Sequence, residues 1–271
     1  VVPETESADL SVSASSADFV VKGRAEGIDA PDIDDLSLVV DSMGFLEYLA
    51  PSPSFATSLQ ILNSGTIGSG PFLDSYSIAF GAFDFEIINI GDINGDISVT
   101  SLDSTVNNSG NIYNEWSNIV SERGSFINFG NWSTDLLQIG SWLNNNPADI
   151  FIIQNRGTMK GGLLSSSATV LFGYGEKLLI KIGLIIGEIL GFSGIETINN
   201  SGTIIGDVYL YDSADVFDGT GGTVQGVVRG GQGWDTLTGG DGDDRFNGGG
   251  GRDVIDGAAG DDRIAVDTGD D

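Results

Sequence analysis

From Leu36 onward, aromatic and β-branched residues alternate with Gly, Asn and Ser. That is the period-two pattern of strands that bury one face. Within it recurs a string of the form apolar–x–Asn–x–Gly–x–apolar. It reads ILNSGTIG at 61–68 and INNSGTIIG at 198–206. Related forms are INIGDING (88–95), VNNSGNIYN (106–114), INFGNW (127–132) and IIQNRGTMKG (152–161). The anchoring asparagines are Asn63, Asn89, Asn108, Asn128, Asn155 and Asn200, at gaps of 26, 19, 20, 27 and 45, the last with room for two units. Each unit is expected to be strand, tight turn, strand, with Asn and Gly accepting a left-handed turn. Stacked units would align the Asn side chains into hydrogen-bonded ladders. A β-sandwich with Asn-Gly-type turns is the alternative that the same pattern allows.

A stricter repeat follows. Residues 230–265 divide into four nine-residue units, GGQGWDTLT, GGDGDDRFN, GGGGRDVID and GAAGDDRIA, and VDTGDD (266–271) stops at the sixth position of a fifth. Each complete unit has Gly at positions one and four, Asp at six and an apolar residue at eight: Leu237, Phe246, Ile255 and Ile264. The glycines permit positive φ and close approach of stacked backbones, which exposes a row of carbonyls. The sixth-position Asp adds a carboxylate, so the turn offers hard oxygens of the kind Ca²⁺ takes. The apolar member of each unit is expected to point inward. A flexible Gly/Asp linker has no reason to keep an apolar residue at every ninth position.

This unit resembles the GGxGxDxUx nonapeptide of the RTX calcium-binding β-roll family. The resemblance implies that a turn stacks on the turn two units later. Calcium would then lie between 230–235 and 248–253, between 239–244 and 257–262, and between 248–253 and 266–271. The residues it implies as ligands are Gly230, Gly231, Gly233 and Asp235 in the first turn and Gly239, Asp241, Gly242 and Asp244 in the second. Gly248, Gly249, Gly251 and Asp253, then Gly257, Gly260 and Asp262, then Gly269 and Asp271 complete the set. Ala258 departs from the family's second-position Gly, and Val266 and Asp267 replace two more glycines. Trp234 is bulky for a turn and is expected to cover the first edge of the roll. The Asn-x-Gly repeat, over roughly 60–206, is similar to those of β-solenoid adhesins and haemagglutinin-like surface proteins. The expected fold is all-β: a right-handed parallel β-solenoid, or β-helix, running into a C-terminal RTX parallel β-roll. The expected divisions are an acidic, partly ordered leader (1–36), a solenoid-like domain (37–206) and the calcium-binding roll (207–271).

Two stretches qualify these divisions. LYDSADVFD (210–218) reads as a degenerate nonapeptide, with Asp215 at the sixth position and Phe217 at the eighth. The wide coils are therefore expected to narrow into the roll without a flexible linker. EKLLIKIGLIIGEILGFSGI (176–195) is apolar at both helical and strand spacing. It reads first as core, in strands or a helix, and second as an exposed patch for self-association. It is short for a membrane span and carries Lys181 and Glu188.

The net charge of −28 disfavours nucleic acid and anionic membrane surfaces as partners. It also sets the aspartates against one another. Two carboxylates about 6 Å apart repel by about 3 kcal/mol at an effective dielectric of 20. One calcium site at about 100 times its Kd returns about 2.7 kcal/mol. The roll is therefore expected to be disordered without calcium and folded with it. The chain contains no His and no Cys. Histidine acid–base chemistry, Ser-His-Asp and Cys-His triads and HExxH zinc sites are absent. No P-loop and no GxSxG occurs either.

The expected role is a secreted, non-enzymatic, calcium-binding structural protein of the cell surface or matrix. It would serve as adhesin, surface-layer unit or fibre, self-associating into an oligomer, lattice or filament, with surface or matrix carbohydrate as a candidate partner. A carbohydrate-active β-helix lyase or epimerase, or a fragment of an RTX toxin, is the alternative. Type I export goes with the family resemblance. The opening VVPETESADL and the interrupted fifth repeat lead us to expect a processed product or an excerpt at both ends.

Overall fold

The computed structural model describes residues 9–11, 16–22, 24–29, 35–50, 56–68, 76–114, 116–134, 136–139, 150–160, 168–172, 176–181, 183–191 and 193–266. These are strands and turns only, wound into a parallel β-solenoid. Each coil has up to three sides. One face begins with Ser16–Val21, Asp35–Val40 and Ala56–Asn63. The C-terminal halves of Tyr76–Asn89, Asp96–Asn108 and Trp116–Asn128 continue it. Ile150–Asn155, Glu176–Lys181, Glu196–Asn200, Val216–Asp218, Thr236–Thr238 and Val254–Asp256 complete it. A second face holds short strands such as Asn111–Tyr113, Asn131–Ser133 and Leu184–Ile186, and its last described member is Thr223–Val224. The third face ends with Val208–Asp212, Val228–Gly233, Arg245–Gly251 and Arg263–Ala265.

The period-two pattern drives this winding. Along Asp96–Asn108 buried residues alternate with half-exposed ones, broken only at the corner around Leu102–Asp103. Inward residues stack by type from coil to coil, as in Ile61, Ile87, Val106 and Phe126 on one face and Ile67, Ile93, Ile112 and Trp132 on the next. Phe126 and Trp132 meet inside, ring centroids 4.7 Å apart.

The Asn column forms as its spacing predicts. Each amide donates to the carbonyl oxygen of the next: Asn63 to Asn89, Asn89 to Asn108 and Asn108 to Asn128 at 2.8 Å, and Asn128 to Asn155 at 2.9 Å. All are fully buried. The gap of 45 does hold two coils, with Lys181 in register between Asn155 and Asn200. The glycine of the motif has a different cause from the one expected. Gly65, Gly91, Gly110, Gly130 and Gly157 do not have positive φ. Instead, a Cβ on Gly110 would overlap the carbonyl oxygen of Gly91, and the same holds along the column. The spacing of the coils, not turn handedness, requires glycine there.

Among its described residues the apolar stretch 176–195 forms strands and turns, with no helix. It supplies strands Glu176–Lys181, Leu184–Ile186 and Glu188–Leu190, with Leu179, Ile185 and Ile189 inside. No helix long and apolar enough to cross a membrane occurs among the described residues. In the acidic N-terminal region, Ser16–Val21 pairs with Asp35–Val40 and buries Val21.

The passage to the C-terminal region is continuous. Partners lie 20 residues apart at Val216↔Thr236 and 18 apart at Thr236↔Val254. The two residues saved go with the loss of the second face. A three-sided coil becomes a flat two-sided roll, and Phe217, Leu237, Val228 and Phe246 fill the space between its sheets.

Candidate metal centre

In the roll each nonapeptide is one turn and one short strand, so two units complete a coil. Register fixes which turns meet. Gly231, Gln232 and Gly233 lie over Gly249, Gly250 and Gly251, so turn 230–235 stacks on turn 248–253. Arg245 pairs with Arg263, which stacks turn 239–244 on turn 257–262. Stacking on the turn two units later is thus observed for both expected pairs that fall among the described residues. The third pair, with Gly269 and Asp271, lies outside them.

The sixth-position aspartates form a column along each edge. One carboxylate oxygen is held by the backbone of the coil before. Asp235 N–H donates to Asp253 Oδ1 at 3.0 Å, and Asp244 N–H to Asp262 Oδ1 at 2.9 Å. The other oxygen turns back over its own unit. Asp235 Oδ2 occupies the place a Cβ on Gly230 would take, and the Gly248 carbonyl oxygen lies 2.6 Å from that same point. At Gly239 the intruders are Asp244 Oδ2, at 2.6 Å, and the Gly257 carbonyl. At Gly230 and Gly239 glycine is therefore required because a carboxylate and a carbonyl of the next coil converge on it. In the third unit the second- and fourth-position glycines have another reason. Gly249 and Gly251 have φ of 95° and 139°, and a Cβ on either would overlap the carbonyl of Gly231 or Gly233.

The column is buried: Asp235 is 1 % exposed, and Asp244 and Asp253 are also buried. Asp235 Oδ2 accepts no hydrogen bond. Burial pushes the Asp235 carboxyl up to about 6; the Asp215 N–H opposes this and the Asp253 charge adds to it. A buried carboxylate with one oxygen unused, beside main-chain carbonyls, suits a hard divalent cation. Among the described residues no three acidic side chains converge on one point. An ion here would take most of its oxygens from the main chain.

Other expected residues lie apart from this convergence. Asp241 is exposed on its turn, and a Cβ on Gly242 would meet nothing. Gly260, φ 129°, stacks over the Gly242 carbonyl. Ala258 occupies a second position at φ 66°, where a Cβ is strained. Trp234 is 70 % exposed and covers no edge. Leu237 and Phe246 are buried and Ile255 is half-buried, but Ile264 is 46 % exposed.

The same edge continues upstream through Asp215, the sixth position of the expected degenerate nonapeptide, to Glu196, which the sequence reading did not include. Asp215 N–H donates to Asp235 Oδ1 at 2.9 Å, and Glu196 N–H to Asp215 Oδ1 at 2.8 Å. Tyr211 and Ser213 stand in register with Gly231 and at the Gly233 position, with φ of 73° and 115°. The signal in sequence was the acid at the sixth position with Ile198 or Phe217 two residues on, at a spacing of 19 to 20 in place of 18.

Residues 228–271 match the family model of the RTX calcium-binding nonapeptide repeat, in four copies. The chain matches no curated protein and no solved structure.

Proposed function

Residues 228–271 being RTX repeats that bind calcium ions, we propose that this chain is a secreted, non-enzymatic structural protein that calcium stiffens outside the cell. The observation that carries this reading is the unbroken register from the solenoid, through Val216–Asp218, into the aspartate-lined roll. Order imposed on the roll would pass straight into the stack above it. Asp235 with Asp253, and Asp244 with Asp262, would hold the ions, together with carbonyls of the turns they belong to. When bound, the ion supplies positive charge to these carboxylates. The chain's own part is to hold one oxygen of Asp253 and Asp262 on a backbone N–H and to turn Asp235 Oδ2 and Asp244 Oδ2, the latter also bonded by the Gly240 N–H, toward carbonyls of the next coil. Parallel coils stacked into a rod suit a fibre, surface-layer unit or adhesin, with other copies or surface carbohydrate as partners.

Amide hydrogen exchange on the whole chain, in chelator and in millimolar calcium, tests the reading. Protection of 228–266 only in calcium is expected, with rods or lattices in electron micrographs of the loaded protein. Equal protection in both conditions overturns the calcium dependence. Monodisperse single chains at millimolar calcium overturn the assembly role.

A further inference from the structure

The aspartate column does not stop where the repeat signature stops. On the edge that carries Asp253 and Asp235, the next sixth-position residues are Asp215 and Glu196. Asp215 and Glu196 lie upstream of the matched repeats. Asp215 is fully buried, with its Oδ1 held by the Glu196 N–H. Its Oδ2 is buried too and accepts no hydrogen bond. The charges acting on it are those of Asp235 and Asp212, both negative. One coil higher, the convergence seen in the roll recurs. A Cβ on Gly191 would lie 2.6 Å from the Leu210 carbonyl oxygen and 2.9 Å from Glu196 Oε2. This is the arrangement at Gly230, with Glu in place of Asp.

The opposite edge behaves differently. Above Asp244 that column reaches Gly226, and the nearest acid, Asp207, is already paired with Arg229 at 2.7 Å. Its carboxyl is held below the usual carboxylate range; burial works against this, and the Arg229 hydrogen bond and charge, with the Val227 N–H, outweigh it. So the chain neutralises one upstream acid with a guanidinium and leaves the other without a cation. The Glu196 coil is the limit on the first edge, because Lys177 takes the register position above it.

We propose that turns 210–215 and 230–235 hold one further divalent cation, calcium by the hardness of the donors, through Asp215, Asp235 and carbonyls of those turns. It rests on the calcium reading above, and it carries the ion column out of the repeats into the solenoid. The ion would clamp the coil where three sides become two.

The test is bound calcium per chain, counted by atomic emission after equilibrium dialysis of the full chain. Asp215→Asn keeps an oxygen for the Glu196 N–H, and it is expected to bind one calcium fewer than the wild type. Asp262→Asn, on the other edge, is expected to lose calcium without affecting this site. Calcium-grown crystals of the wild-type chain supply an arm that needs no variant: an anomalous peak between the two turns. An unchanged count in Asp215→Asn, or no peak there while the roll shows its ions, overturns the proposal. A wild-type chain that binds no calcium overturns the reading beneath it.

Discussion

At the scale of single residues, the buried acids set how this protein responds to protons. Burial raises the Asp215 carboxyl to about 7 and Asp235 to about 6, from 3.8. Without metal, the folded chain therefore holds these protons more tightly than the unfolded chain. The stabilising effect is complete below the unfolded value and is lost as pH rises through about 6 and 7. For Asp215 the rise corresponds to about 4 kcal/mol. In chelator, the 210–256 segment is expected to be better protected at pH 5 than at pH 8, by hydrogen exchange. In calcium the order reverses, because protons compete for the same oxygens. The free calcium needed for half-loading should rise as pH falls below about 7, and a pair of calcium titrations would show it.

At the scale of elements, the coil is held by a ladder that runs at right angles to its strands. Asn108 accepts from Asn89 and donates to Asn128. Asn108→Ala would leave a buried donor on Asn89 and a buried acceptor on Asn128 without those partners. Each orphan costs about 1–3 kcal/mol. A loss of about 2–5 kcal/mol is expected, read as a lower denaturant midpoint at unchanged slope. Asn63 Oδ1 accepts nothing, so its loss would strip only the Asn89 acceptor, and change at the top of the ladder should cost less of the stack. Sequence spacing revealed this ladder because one residue type repeats at every coil. The coil at 176–190 was harder to read, since Leu178, Ile182, Ile185, Ile186 and Ile189 share a face at helical spacing while the strands turn Leu179, Ile185 and Ile189 inward. What decides it is the neighbouring coil: a Cβ on Gly183 would overlap the Gly157 carbonyl, a contact no single segment reveals. The place of Glu196 was hidden for a related reason. Its turn keeps Gly191, Gly194 and the apolar Ile198 but carries Glu for Asp at a spacing of 19, while the Asp215 turn replaces glycines with Tyr211 and Ser213, so the full signature fails while the geometry persists.

At the scale of the whole molecule, the two regions rely on different forces. Upstream, long alternating strands bury Ile, Leu, Val and Phe on three faces, enough to stand without ions. Downstream, strands of three residues and a thin apolar seam leave the fold to the acids and what neutralises them. Limited proteolysis should show the division. In chelator, cuts are expected within 228–266 while the coils from 76 to 200 resist. In calcium both should resist. Cuts spread evenly along the chelated chain would mean the upper coils do not stand alone.

The pairing of 18 residues to a coil has a consequence for how such a chain can change length. Both edges of the roll are built from the same nine-residue word, so losing or gaining one word only moves the terminus from one edge to the other. Every remaining aspartate still meets a like partner. The three-sided coils above have no such symmetry and must be copied or deleted as entire circuits. Genes of this design should therefore vary in small, even steps at one end and in coarse steps elsewhere.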